Sequence, residues 1–106
     1  MKLINVAKDF TRFPSGRFKQ NGSTSGEAFR ENFLEPSLKE GLSVSVELDG
    51  TIGYGSSFLE EAFGGLVRSL HMSAPELHSK LKLISEDPTL LEEIVGYIND
   101  AATKQE

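Results

Sequence analysis

The chain of 106 residues contains no cysteine, which removes disulfide frameworks, thiolate zinc sites, iron–sulfur clusters and cysteine nucleophiles together. Histidine is almost as scarce. His71 and His78 stand seven residues apart, which is not the HExxH spacing of a zinc protease, and no third ligand is signalled. No metal or other cofactor is therefore expected. Long apolar runs are also missing: none approaches the roughly 20 residues that span a bilayer, and Met1-Lys2-Leu3-Ile4-Asn5-Val6 turns polar too soon for a signal peptide. A soluble, cytoplasmic protein with no membrane contact is the expectation. Internal repeats, low-complexity tracts and long linkers are absent too. The reading is one domain over 1–106, with a strand and basic loop in 1–23 and the core in 24–106. At this length folding buries roughly two-thirds of the unfolded surface, enough for one modest core.

The net charge is −5, unevenly spread. Lys2, Lys8, Arg12, Arg17 and Lys19 face Asp9 alone in residues 1–19, so that segment carries +4 and the remainder −9. Five cations without interleaved aromatics do not make a nucleic-acid stripe, and nucleic acid is not an expected partner.

Hydrophobic periodicity lays out an α/β order. Lys2 to Ala7 reads as a strand, followed by a Pro14-Ser15-Gly16 turn that would close a short hairpin between Phe13 and Phe18. A helix should open at Thr24 or Ser25, with Thr24 and Glu27 at capping-box spacing, and end near Gly41, kinked or broken at Pro36. Leu42, Val44, Val46 and Leu48 alternate with polar residues as a strand with one polar face. Phe58, Leu59, Ala62, Phe63, Leu66, Val67 and Leu70 form the clearest amphipathic helix, and its Gly64-Gly65 pair predicts close approach of another backbone. Ser73 and Glu76 cap a short helix, Lys80 to Ile84 alternates as a third strand, and Asp87-Pro88 opens the last helix. Strand, helix, strand, helix, strand, helix implies parallel pairing through crossovers: an α/β domain with a small, mostly parallel sheet of three to five strands.

The informative segment runs from Leu48 to Leu66, leaving a strand, crossing a Gly-rich loop and entering a helix, the place where α/β sheets gather ligands. Ser57 stands three residues before Glu60, a capping-box spacing, which leaves Ser56 as the freer contact or modification site. Gly53-x-Gly55 lacks the third glycine of a dinucleotide fingerprint, and no Gly-Lys-Ser/Thr follows as in a P-loop. A hydrolase would need Gly-x-Ser-x-Gly and a partnered base, and neither is present. The pairs Glu60-Glu61 and Glu92-Glu93 read as solvated charge complementing helix starts. No nucleophile, base and orienter stand at readable spacing, so an enzyme is not expected.

The segment Gly53-Tyr54-Gly55-Ser56-Ser57-Phe58-Leu59-Glu60-Glu61-Ala62-Phe63-Gly64-Gly65-Leu66 resembles the signature of the bacterial STAS-like domain family of unknown function. Ser15-Gly16-Arg17 and Ser25-Gly26-Glu27-Ala28-Phe29-Arg30 resemble its upstream motifs. The related anti-sigma-factor antagonists bind protein partners, and several are switched by phosphorylation of a serine at a strand-to-helix loop reading Asp-Ser-Ser-Gly. Here Gly55-Ser56-Ser57-Phe58 matches the serines but not the flanking acid and glycine.

The resemblance thus implies a STAS-like regulatory protein-interaction module, with Ser56 as the phosphorylation candidate. Its protein partner would be a histidine-kinase-like ATPase or another regulator, contacted through Tyr54, Gly55, Ser56, Ser57, Phe58 and Arg17. The alternative is a small-molecule or nucleotide sensor using the same loop, with Arg17 beside the helix N-terminus as an anion site.

Overall fold

The computed structural model describes residues 2–104. Three four-residue strands, β1 (Lys2–Asn5), β2 (Val44–Glu47) and β3 (Leu81–Ile84), pair in parallel in the order β1-β2-β3. The register places Ile4 beside Val46 and Val46 beside Leu83. Helices connect and follow them: α1 over 26–39, α2 over 56–70, α3 (Ala74–Lys80) and α4 (Pro88–Lys104). Right-handed crossovers put every connection on the same side of a sheet whose spatial order equals its chain order. Accordingly Ile4, Val44, Val46 and Leu81 are buried under helices, while Leu3, Lys82 and Ile84 on the other face are exposed. Ser45, on the polar face of β2 as expected, is nevertheless buried. Only 3% exposed, it lies in the central strand with Leu3 and Lys82 as its lateral neighbours.

The segment after β1 forms no hairpin. Val6–Phe10 winds into one wide π-type turn, closed by the Thr11 N–H donating to the Val6 carbonyl at 2.8 Å. The chain then crosses to the start of α1, where the Gly16 and Arg17 carbonyls accept from the Gly26 and Glu27 N–H groups at 2.9 and 3.0 Å. A helix start leaves its first N–H groups without partners. Here the loop supplies them through Gly16 and Arg17. Ser25 caps α1, its Oγ accepting from the Ala28 N–H at 3.1 Å. The Thr24 and Glu27 capping box does not form, because the Glu27 carboxylate takes the Lys19 N–H at 2.8 Å. Ile4 and Val6 are fully buried, so the segment before α1 contributes to the same core as the helices after it.

Pro36 neither breaks nor ends its helix. The turn Arg30–Leu34 is wound wide, with the Glu35 N–H reaching the Arg30 carbonyl, and this irregular turn takes up the bond that Pro36 lacks. α2 contains the same device at Glu60–Gly64. The two helices meet closely: a Cβ at Gly26 would collide with the Phe58 carbonyl, and one at Gly65 with the Arg30 guanidinium. At Gly64 the neighbours are the Glu60 carboxylate and, at 3.2 Å, the Tyr97 carbonyl, which is the backbone approach the glycine pair predicts. Around this crossing Phe10, Phe29, Phe33, Phe58 and Phe63 form one aromatic cluster with centroids 5.2 to 6.3 Å apart. Beyond it α4 opens as the sequence predicts, the Asp87 carboxylate accepting from the Thr89 and Leu90 N–H groups.

Two glycine substitutions separate packing from propensity. Gly26→Ala should lower unfolding free energy by about 1–3 kcal/mol, because its Cβ meets backbone that cannot yield. Gly96→Ala, in α4 with nothing within 4 Å of the new Cβ, should raise it by about 0.5–1 kcal/mol. Urea titration of the two variants checks both signs.

Candidate functional site

The strand-to-helix loop after β2 is held from both sides. Gly50 and Gly53 take positive φ, 104° and 135°, which bends the chain back under Tyr54. The Tyr54 hydroxyl donates to the Leu48 carbonyl at 2.6 Å. Burial above all, and the nearby Asp49 charge, push this phenol up to about 12 against the pull of Thr51, so it remains a donor at any physiological pH. Asp49 ties the loops after β2 and β3 together, accepting from the Ser85 hydroxyl at 2.7 Å and the Glu86 N–H at 3.0 Å. A cavity of about 300 Å³ lies between these loops, lined among others by Asp49, Thr51, Tyr54, Asp87 and Glu93. A larger one, about 640 Å³, lies away from the loop under Val67, Met72, Pro75 and Ala102 and has no Asp, Glu, Lys or Arg in its lining.

At the start of α2, Gly55 occupies the cap position, and Ser56 and Ser57 are both exposed. The Ser57 and Glu60 capping box is not formed, since Glu60 is committed elsewhere. Ser56 stands beside the Tyr97 hydroxyl, which donates to Glu93 at 2.7 Å. That bond, with burial and the Glu93 charge behind it, raises the Tyr97 phenol, and Ser56 works in the opposite direction. Phe58, expected to contact a partner, is instead a core residue of the aromatic cluster and offers no surface.

Beneath the loop lies an ion network. Arg30, 7% exposed, sends Nη1 to the Glu61 carboxylate at 2.5 Å and to the Glu61 carbonyl at 2.8 Å, and Nε to Glu35 at 2.8 Å. Glu35 also accepts from the Ser69 hydroxyl at 2.8 Å. Arg17 reaches Glu60 at 2.5 Å and Glu61 at 3.5 Å, and Arg68 contacts the same two carboxylates. Glu61 is therefore not solvated charge, and Arg17 is not a free anion ligand.

Burial opposes ionisation of Glu35, but the hydrogen bonds of Ser69 and Arg30 and the Arg30 charge outweigh it and hold the carboxyl below its ordinary value. Glu60 is lowered in the same way, Arg68 and Arg17 outweighing burial. Burial is also the largest influence on Arg30, and Glu61 and Glu35 overcome it to raise the guanidinium. Arg17 is raised chiefly by its hydrogen bond to Glu60.

The network was not anticipated from the sequence. A signal did exist, since Arg30 leads Leu34 and Leu38 at intervals of four, the buried stripe of α1.

The architecture is that of an α/β domain whose parallel sheet presents a rigidly mounted loop at the carboxyl end of its central strand. A family model, the STAS-like domain of unknown function (DUF4325), matches residues 25–91, more than half of the chain, and the chain belongs to that family. The match takes in Ser56, Arg30, Glu35, Glu60, Glu61 and Arg68 and leaves out β1 and Arg17. No curated protein and no solved structure matches. Among the described residues no helix is long and apolar enough to cross a membrane.

Arg30→Met should cost about 3–5 kcal/mol, because it removes the buried cation that Glu35 and Glu61 share and leaves them only the longer contacts with Lys39, Arg17 and Arg68; thermal and urea unfolding measure it. Acid should probe the same network. Glu35 and Glu60 have folded values below the ordinary 4.5, so their contribution is complete above about pH 4.5 and is lost as pH falls through those depressed values. Wild type should therefore lose stability on acidification. Arg30→Met should lose less, since Glu35 then lacks the Arg30 hydrogen bond and charge that hold its carboxyl low.

Proposed function

We propose that this domain is a non-enzymatic regulatory module that docks a protein partner through the Gly-rich loop and the first turn of α2, and that phosphorylation of Ser56 weakens the docking. The supporting observation is the state of Ser56: exposed, not engaged in capping, and carried on a helix fixed from below by the ion network. The contact residues are Tyr54, Gly55, Ser56 and Ser57, with Arg17 acting from beneath as a brace. A phosphate on Ser56 would bring nearly two negative charges against Tyr97 and its acceptor Glu93. Like charge at a docking face weakens association, and the partner expected from the family resemblance is a histidine-kinase-like ATPase or another regulator.

The nucleotide-sensor reading has less support. Arg17 already neutralises Glu60, and the loop cavity is lined by Asp49, Asp87 and Glu93, which repel phosphate. Small cationic or hydroxylated ligands fit that lining better.

Tagged wild-type, Ser56→Ala and Ser56→Asp proteins isolated from the native host test the proposal. Wild type and Ser56→Ala should retain the same partner, and Ser56→Asp should bind it at least about tenfold more weakly. Intact mass should reveal phosphate on wild type and not on Ser56→Ala. Equal retention by Ser56→Asp would sink the switch.

A further inference from the structure

The segment between β1 and the start of α1 runs alongside the Gly-rich loop. A Cβ built on Gly50 lies 3.1 Å from that of Ala7, and the Ile52 N–H donates to the Arg12 carbonyl at 3.0 Å. This contact sets side by side the segments that carry two of the most exposed large apolar side chains among the described residues, Ile52 at 73% and Phe13 at 58%. Lys8 and Arg12 flank them, both exposed. Of the five cations in the N-terminal segment, Arg17 and Lys19 are taken up by Glu60, Glu61 and Glu31, Lys2 lies on β1, and Lys8 and Arg12 have no carboxylate partner among the described residues. Their acidic neighbour Asp9 is engaged by the Asn5 N–H at 2.7 Å, and Asp49 is turned toward Ser85 and Glu86.

We infer that Phe13 and Ile52, with Lys8 and Arg12 at their rim, form the anchor of the docking surface, and that they receive an amphipathic segment of a partner protein carrying apolar side chains beside carboxylates. The inference rests on the docking reading above and names the chemistry of the partner. Apolar side chains at the centre and charge at the rim is the usual anatomy of a protein interface. An anionic membrane is disfavoured by the chain's charge of −5 and by the patch having only two cations. Nucleic acid is disfavoured on the same ground.

The test uses the isotope-labelled full chain and two synthetic helical peptides, one with a Leu face and a Glu face, the other with Lys in place of Glu. The Glu peptide should produce saturable amide shifts at Lys8, Arg12, Phe13, Gly50 and Ile52 that weaken with added salt. Phe13→Ser with Ile52→Ser should reduce its affinity at least about tenfold, and Arg12→Glu should reduce it as well, all with unchanged melting profiles because these side chains are exposed.

On general electrostatics alone the Lys peptide should be preferred by an acidic protein. Shifts at these residues that are as large with Lys as with Glu would overturn the inference, as would shifts located elsewhere or none at all. Binding of vesicles rich in phosphatidylglycerol through these residues, without the peptide response, would also overturn it, in favour of a membrane. If the native partner is lost by Ser56→Asp but kept by the Phe13→Ser, Ile52→Ser double variant, this patch fails and the docking reading stands. If neither variant loses it, both fail.

Discussion

One guanidinium organises the domain. Arg30 enters from α1 and meets the side chain and carbonyl of Glu61 on α2, while Glu35, one turn further along α1, closes the other side and is itself held by Ser69. Removing such charges from water is expensive, and the expense is offset only where nearly every donor and acceptor finds a partner in good geometry. Among the described residues no buried side-chain nitrogen or oxygen is left without one. Apolar packing between two helices tolerates small slips along their axes. A fork with fixed donor directions does not. Gly65 belongs to the same constraint, since any side chain there would displace the guanidinium.

The wide helical turns begin at residues of this network, Arg30 in α1 and Glu60 in α2. In a regular α-helix neighbouring residues point about 100° apart, and a wider turn alters that spacing. Glu60 and Glu61 begin the π-wound turn of α2, and Arg17 and Arg68 each contact both of them. The extra residue in the turn changes which side chains share a face. In α1 the corresponding turn starts at Arg30 and ends just before the Glu35-Pro36 pair, so a single irregularity places the buried cation and accommodates the proline.

Periodicity made the element order legible, and with it the parallel sheet, and the caps at Ser73 and Asp87 were legible because each depends on residues within one turn of one another. What was hidden depends on partners far away in the chain. The Glu27 carboxylate reads as a capping partner for Thr24 until Lys19 arrives, and Glu60 as one for Ser57 until Arg17 and Arg68 do. In both places a local hydrogen bond lost to a contact across the fold. The buried role of Glu61 was hidden for the same reason: two adjacent acids near a helix start look solvated unless the cation opposite is known. Ser56 was nominated by resemblance, and its exposure is consistent with that nomination without testing it.

The relation between network and loop bears on how a signal at Ser56 would be read. A soft helix would absorb an added charge by shifting, and little would change at the surface. α2 cannot shift easily, because Glu60 and Glu61 are held from outside the helix by Arg17 and Arg30, and Arg17 is part of the same loop whose carbonyls satisfy the start of α1. Beside Ser56 lies the hydrogen bond between Tyr97 and Glu93, which is outside that network. On the proposed reading, charge added at Ser56 is therefore expressed as a change of surface potential and of the Tyr97 side chain. The core stays in place. A module built this way would signal by altering what its loop repels, with no need for a second fold.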